Sequence, residues 1–358
     1  MRIVFDIASP YYWPQYEPVA LELVRRGVDV QCVVHADNDP RFVAAVVSRL
    51  QHLQLQHVIA SRGEVLRVHA ADDDDWAVFG NGCSFRSDLP ARVKTALIYH
   101  GIGVKACYYD AELAEFTVRF TEGVFRTAEL RRRYPGANFV DTGFAKLDPL
   151  LSGQGLASDA FDLASVGLLV ERPTVLYAPT FYPSSIECLP TDWPRWLPDF
   201  NIIIKPHMLT WASDRYAAQQ RLLNRWDREP NVHVAREGAL SLLPFMAVSD
   251  VLVSEASSAL FEFAALDRPV VWCDFYKLRW AYRGLLSFRH TRRMDQTIHA
   301  FKHVGAHVSK ATLLPEVIRE QVRAPDMHAA GRADCTQHLI GAVDGMASAR
   351  IADYLLKS

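Results

Sequence analysis

The sequence lacks any apolar run approaching the roughly 18 to 20 residues that a membrane-spanning helix needs. It also lacks a surplus of charge, since 39 Lys and Arg against 41 Asp and Glu leave a formal net charge of -2 over 358 residues. That balance excludes the basic excess of a nucleic-acid binder. No CxxC pair is present; Cys32, Cys83, Cys107, Cys188, Cys273 and Cys335 are scattered, as expected of reduced thiols in a cytoplasmic protein. Met1 leads directly into the apolar stretch RIVFDI, so no signal peptide is expected, and peripheral attachment to the inner membrane face is left open. A P-loop, a GxGxxG and a GxSxG elbow are all missing, which argues against a kinase or a serine hydrolase. Neither a short internal repeat nor a low-complexity segment occurs.

What is present is a strand–helix alternation that runs twice. Strands are expected at Arg2 to Ile7, Val28 to Val34, Trp76 to Phe79, Ala96 to Tyr99 and Asn138 to Asp141. A helix opened by Pro18 and closed by Gly27 joins the first two, with an amphipathic segment near Phe42 to Leu53. The run Asp72 to Asp75 reads as a solvated loop ahead of a strand, in preference to a cation site. Gly153, Gly155, Ser158 and Asp159 mark a linker. The second half offers strands at Thr174 to Tyr177, Asn201 to Lys205 and Val232 to Ala235, and a helical stretch from about Ser213 to Trp226. The fold expected is α/β, with two Rossmann-like doubly wound domains facing across a cleft: residues 1–152, a linker at 153–172, residues 173–330, and C-terminal helices at 331–358 that cross back to the first domain.

The stretch Ser249 to Phe275 organises the second half. Val251 to Val253 reads as a strand, Ser254 to Ser258 as a polar turn, Ala259 to Leu266 as an apolar helix and Val270 to Cys273 as a second strand. Ser257 and Ser258 fall where unpaired backbone N–H groups favour an anion. Glu262, among apolar neighbours, needs a partner; ribose hydroxyls and an intramolecular arginine are equally suited.

Other chemistry-bearing residues stand at strand ends. His100, in YHGIGVK, follows a strand among glycines, and it either accepts a proton from an alcohol or caps the strand. Lys205 and His207 end the strand IIIKPH, where they could stabilise phosphate charge. Thr180 ends VLYAPT, as a diphosphate donor or as part of a turn set by Pro179. His299, His303 and His307 follow helical spacing, but Gly305 interrupts it and no acidic ligand is close, so an exposed polar face is preferred and no metal is expected.

Six segments in order, YHGIGVK (Tyr99 to Lys105), TGFAKLD (Thr142 to Asp148), VLYAPTF (Val175 to Phe181), IIIKPH (Ile202 to His207), SDVLVSEASSALFEFAALDRPVV (Ser249 to Val271) and DGMASARIADYL (Asp344 to Leu355), resemble the CDP-glycerol glycerophosphotransferase family of teichoic-acid and capsule enzymes. The resemblance covers most of the chain from about residue 95 onward; the first 90 residues match least. It implies a GT-B-like fold and transfer of glycerol phosphate, or a related polyol phosphate, from a CDP-activated donor to a hydroxyl of a cell-surface glycopolymer or lipid-linked acceptor, releasing CMP without a cofactor. It implies that His100 is the acceptor-side base and that His207 contacts the donor phosphates. Ser257 and Ser258, with Thr180, Lys205 and Ser254 beside them, would hold the diphosphate, and Glu262 would meet the ribose.

Three positions depart from the family pattern. Tyr182 stands where an arginine commonly follows the APT segment and its aromatic residue, leaving Lys205 or Arg236 to compensate; Glu255-Ala256 replaces aspartate-tyrosine, and Ala145-Lys146 replaces proline-arginine. The departures keep two alternatives: a glycosyltransferase or sugar-nucleotide 2-epimerase on the same scaffold, and a non-catalytic subunit of a polymer assembly complex.

Overall fold

Short strands whose side chains are buried on both faces build two wholly parallel sheets, the pattern expected when helices cover each side. The computed structural model describes residues 1–70, 74–102, 105–153, 159–278 and 296–357. Strands β1 (Arg2–Ile7), β2 (Asp29–His35), β3 (Gln56–Ala60), β4 (Asp74–Phe79), β5 (Lys94–Ile98), β6 (Val118–Thr121) and β7 (Phe139–Asp141) lie in the order β3-β2-β1-β4-β5-β6-β7. Strands β8 (Thr174–Tyr177), β9 (Asn201–Ile204), β10 (Val232–Val234), β11 (Val251–Ser254), β12 (Val270–Cys273) and β13 (Ala306–Val308) form the second sheet, β10-β9-β8-β11-β12-β13. Every pairing between neighbouring strands of the two sheets is parallel. Strand order therefore reverses between β1 and β4 and again between β8 and β11. A crevice opens at the carboxyl ends of the strands at each such switch point.

The first helix spans Trp13–Arg25, with Pro14 in its first turn and Pro18 inside it, so Pro18 does not open it as the sequence suggested. Pro14 takes that role because a first-turn residue has no intrahelical acceptor for the N–H it lacks. Gly27, at φ +80°, turns the chain into β2. Asp72 and Asp73 of the acidic run lie outside the described residues, as do Gly103, Val104, Gly155 and Ser158. The Asp75 carboxylate accepts the Arg2 backbone N–H at 2.9 Å.

The halves share one apolar cluster in which Ile102, Phe144 and Leu147 from the first meet Leu260, Phe261 and Leu339 from beyond the linker. The helix Ala347–Lys357 puts Ile351, Ala352 and Leu355 into the first half's core, beside Trp13, Tyr16 and Ala20. Buried Asp148 caps that helix, accepting the backbone N–H groups of Ala347 at 3.2 Å and Ser348 at 2.6 Å. One carboxylate of the TGFAKLD segment thus fastens the end of the chain to the first sheet.

Candidate active site

The two switch points face a single cavity of about 560 Å³, lined from the first half by Tyr11, Tyr99, His100, Gly101, Lys105 and Lys146. Thr180, Lys205, His207, Ser257, Ser258 and Glu262 line it from the second. His100 follows β5, and its Nδ1 lies 2.9 Å from the Gly80 carbonyl. A carbonyl can only accept, so Nδ1 carries the proton and Nε2 keeps a lone pair for the cavity. Three tyrosines hold the ring: Tyr99 and Tyr12 stack at centroid distances of 4.4 and 4.9 Å, and Tyr11 meets it edge-on at 4.8 Å. Burial, followed by the charges of Lys105 and Lys146, pushes the His100 pKa down to about 4. The imidazole is consequently neutral at pH 7, as a proton acceptor must be.

His207 has the opposite tautomer. It begins the short helix Met208–Ala212, and its Nδ1 accepts the Leu209 N–H at 3.2 Å, so the neutral ring carries its proton on Nε2. Burial first, then Lys205, Lys105 and His100, pushes its pKa down to about 3. It offers a neutral hydrogen bond, where the sequence had suggested a contribution to neutralising charge. The cation at this edge is Lys205, whose pKa burial and the Lys146 charge lower to about 8. Tyr11, 6.1 Å by centroid from His207 and 4.8 Å from His100, joins the two imidazoles.

Glu262 is 1% exposed, and its Oε2 accepts from the Lys146 Nζ at 2.7 Å. Its protein partner is a lysine from the opposite half, at the position where the resembled family has arginine. Ser257 starts the helix Ser258–Ala264, and its Oγ accepts the Ala259 N–H at 3.3 Å, leaving its own proton to donate. Ser258 stands across from the loop that follows His100: a Cβ built on Gly101 would lie 3.6 Å from its Oγ.

Two proposed donor-site residues have other partners. Ser254 is fully buried at the end of β11, outside the cavity lining, and its Oγ donates to the Ala178 carbonyl at 2.7 Å. Thr180 does line the cavity, but its hydroxyl donates to the Pro183 carbonyl, so its single proton is committed. The Thr180 backbone N–H and both donors of Ser185 go to Glu255, which burial raises above the usual carboxylate range. Glu255 therefore braces the 178–185 loop. Arg236 lies outside the cavity lining, held by Asp227 and Asn224 and over the Trp211 ring, so it does not replace the missing arginine. Lys105, 5.7 Å from the Phe181 ring centroid, brings a cation to that place from the opposite half.

The three histidines at 299, 303 and 307 do not share a helix face, because Ala306–Val308 is a strand. His307 pairs with Asp274 at 2.7 Å, and His303 with Asp334 at 2.8 Å. The expectation that no acidic group is near held only along the sequence, since Asp334 arrives from a distant helix. Sequence reasoning also missed Tyr11, Lys146 and Glu255. Tyr11 follows β1, so the strand-end rule that found His100 would have found it.

No curated protein matches the chain in sequence. Among solved structures, the wall teichoic acid polymerase TagF superposes over 99% of this chain and 88% of its own, with a TM-score of 0.70 and 14% identity. The UDP-GlcNAc 2-epimerase of Neisseria meningitidis, bound to UDP-GlcNAc, superposes over 100% of both chains with a TM-score of 0.62 and 14% identity. At such identities the likeness is one of fold, and the fold is GT-B-like. The sequence pattern of one family, described as CDP-glycerol:poly(glycerophosphate) glycerophosphotransferase, matches residues 125–357. That span is well over half of the chain and contains β8 to β13 with the whole second face of the cavity; the protein belongs to this family of glycerophosphotransferases.

Proposed function

We propose that the chain transfers a glycerol phosphate from CDP-glycerol to a hydroxyl of a glycerophosphate polymer, with His100 as the base. The observation that carries this reading is the opposed tautomers of His100 and His207 at one cavity. His100 Nε2 takes the acceptor's hydroxyl proton, the oxygen bonds to the β-phosphorus, and the bond from that phosphorus to the CMP oxygen breaks. His207 Nε2–H and Lys205 stabilise the charge on the phosphoryl oxygens, and Ser257 and Ser258 donate to the diphosphate. The dianionic donor raises the His100 basicity from its depressed value, because a nearby opposite charge favours imidazolium. Tyr11 orients both rings. Lys146 remains with Glu262, and the pair faces the ribose side of the donor.

The test is CMP release by the purified protein given CDP-glycerol and a polymer acceptor. His100→Ala is expected to lower kcat by roughly 10²- to 10⁴-fold, the usual share of a positioned base. CDP should still raise its melting temperature. Wild-type turnover by His100→Ala would overturn the assignment.

A further inference from the structure

Away from the cavity chemistry, three ligand-type atoms converge from two parts of the chain. The His303 Nε2, an Asp334 carboxylate oxygen and the Cys335 Sγ all lie within 4.8 Å of one another. We propose that His303, Asp334 and Cys335 form a binding site for a thiolate-seeking divalent cation such as zinc.

The distances are near those that such an ion requires. Tetrahedral zinc, with bonds of about 2.1 Å to nitrogen or oxygen and about 2.3 Å to sulfur, sets ligand atoms about 3.4 to 3.6 Å apart. Cys335 Sγ lies 3.7 Å from His303 Nε2, almost such an edge. His303 Nε2 and Asp334 Oδ2 are 2.8 Å apart, a hydrogen bond that opens by about 0.6 Å to admit the ion. The side chains of His303 and Asp334 are 48% and 46% exposed, so they can part toward solvent. Cys335 is fully buried beneath them, so sulfur comes from the protein side and the fourth position opens to water. The His338 Nδ1, whose hydrogen-bond partner at 2.8 Å is the Asp334 backbone carbonyl, lies 3.3 Å from the other Asp334 carboxylate oxygen.

The backbone is built to bring these groups together. Asp334 and Cys335 lie in the helix Ala329–Leu339, and His303 in the segment Gln296–Val304. A Cβ on Gly331 would fall 1.9 Å from the His303 carbonyl oxygen, so the segment presses on the helix at a place only glycine permits. Gly331 precedes Asp334 and Cys335 by three and four positions, on the same helix face. The ion would pin the segment that supplies Ile298, His299 and Lys302 to the cavity wall, stiffening that wall without touching substrate.

Cobalt titration of the chelator-treated full chain tests the site, because a thiolate on cobalt gives a near-ultraviolet charge-transfer band and tetrahedral geometry gives strong visible bands. One equivalent should produce both, and zinc should abolish them. Cys335→Ser should remove the charge-transfer band. His303→Ala, at an exposed position that does not endanger folding, should weaken cobalt binding at least about tenfold, no less than loss of an outer-shell partner does. The proposal is overturned if equimolar cobalt gives no charge-transfer band, if that band persists in Cys335→Ser, or if His303→Ala binds cobalt as the wild type does.

Discussion

Removing the Lys146 ammonium while keeping its bulk, as in Lys146→Met, isolates the ion pair that crosses the cleft. Glu262 is 1% exposed and Lys146 14% exposed, so this is a buried pair. Breaking such a pair from one side strands a charge in low dielectric and costs about 3 to 5 kcal/mol, whereas an exposed pair is worth below about 1 kcal/mol. Glu262→Gln is milder, because the longer and partly exposed lysine can swing its charge to water; about 1 to 2 kcal/mol is expected. The double variant Lys146→Met with Glu262→Gln leaves no stranded charge and should recover at least about 2 kcal/mol of the summed single losses. Urea unfolding followed by circular dichroism supplies the three differences. A cost below about 1 kcal/mol for Lys146→Met, or additive singles, would refute the claim that the cleft holds a buried charge pair. CDP affinity separates structure from recognition: if Glu262 also meets the ribose, Glu262→Gln binds CDP more weakly, and if it only anchors Lys146, CDP binding is unchanged.

Other outcomes follow from the same geometry. The profile of kcat/KM against pH should fall on the acid side near 4, where His100 gains its proton, and on the alkaline side near 8, where Lys205 loses its own; an acid limb at an ordinary imidazole value of roughly 6.5 would contradict the burial of His100. Ser254→Ala should cost about 1 kcal/mol of stability, through the lost bond to Ala178, with no change in donor KM. Ser258→Ala should do the reverse, raising donor KM at unaltered stability, and equal effects from the two serines would remove the distinction drawn between them. Glu255→Gln leaves a buried donor of Thr180 or Ser185 unsatisfied and should lower the unfolding free energy by about 1 to 3 kcal/mol while raising donor KM.

The two-sheet architecture was legible because buried parallel strands are written as short runs such as IVFDI and NIII, and because polar turns separate them. Three strands escaped for physical reasons. Gln56–Ala60 and Ala306–Val308 are edge strands with a single buried residue each, and Val118–Thr121 carries a buried arginine, Arg119, that lies over the Tyr99 and Tyr108 rings. The site was legible where position along a strand determines position in the cleft, as at His100, Lys205 and His207. It was illegible where the partner lies far along the chain: Lys146 and Glu262 are separated by 116 residues, and His303 and Asp334 by 31. Ser254 and Ser258 are close neighbours, yet Ser254 ends a strand with its hydroxyl on the Ala178 carbonyl, and the helix start sets Ser258 opposite Gly101.

The apolar cluster shared by the halves also has a mechanical meaning. The chain crosses between them twice, once at residues 153–172 and again where the helix Ala329–Leu339 gives way to Ala347–Lys357. Two covalent crossings beside one apolar contact tie the halves together at a fulcrum next to the cavity. Ile102 sits within that fulcrum, two residues from His100. Ala259, next to Ser258, sits in the same contact, so both faces of the cavity are anchored to one apolar seam within a few residues of the chemistry.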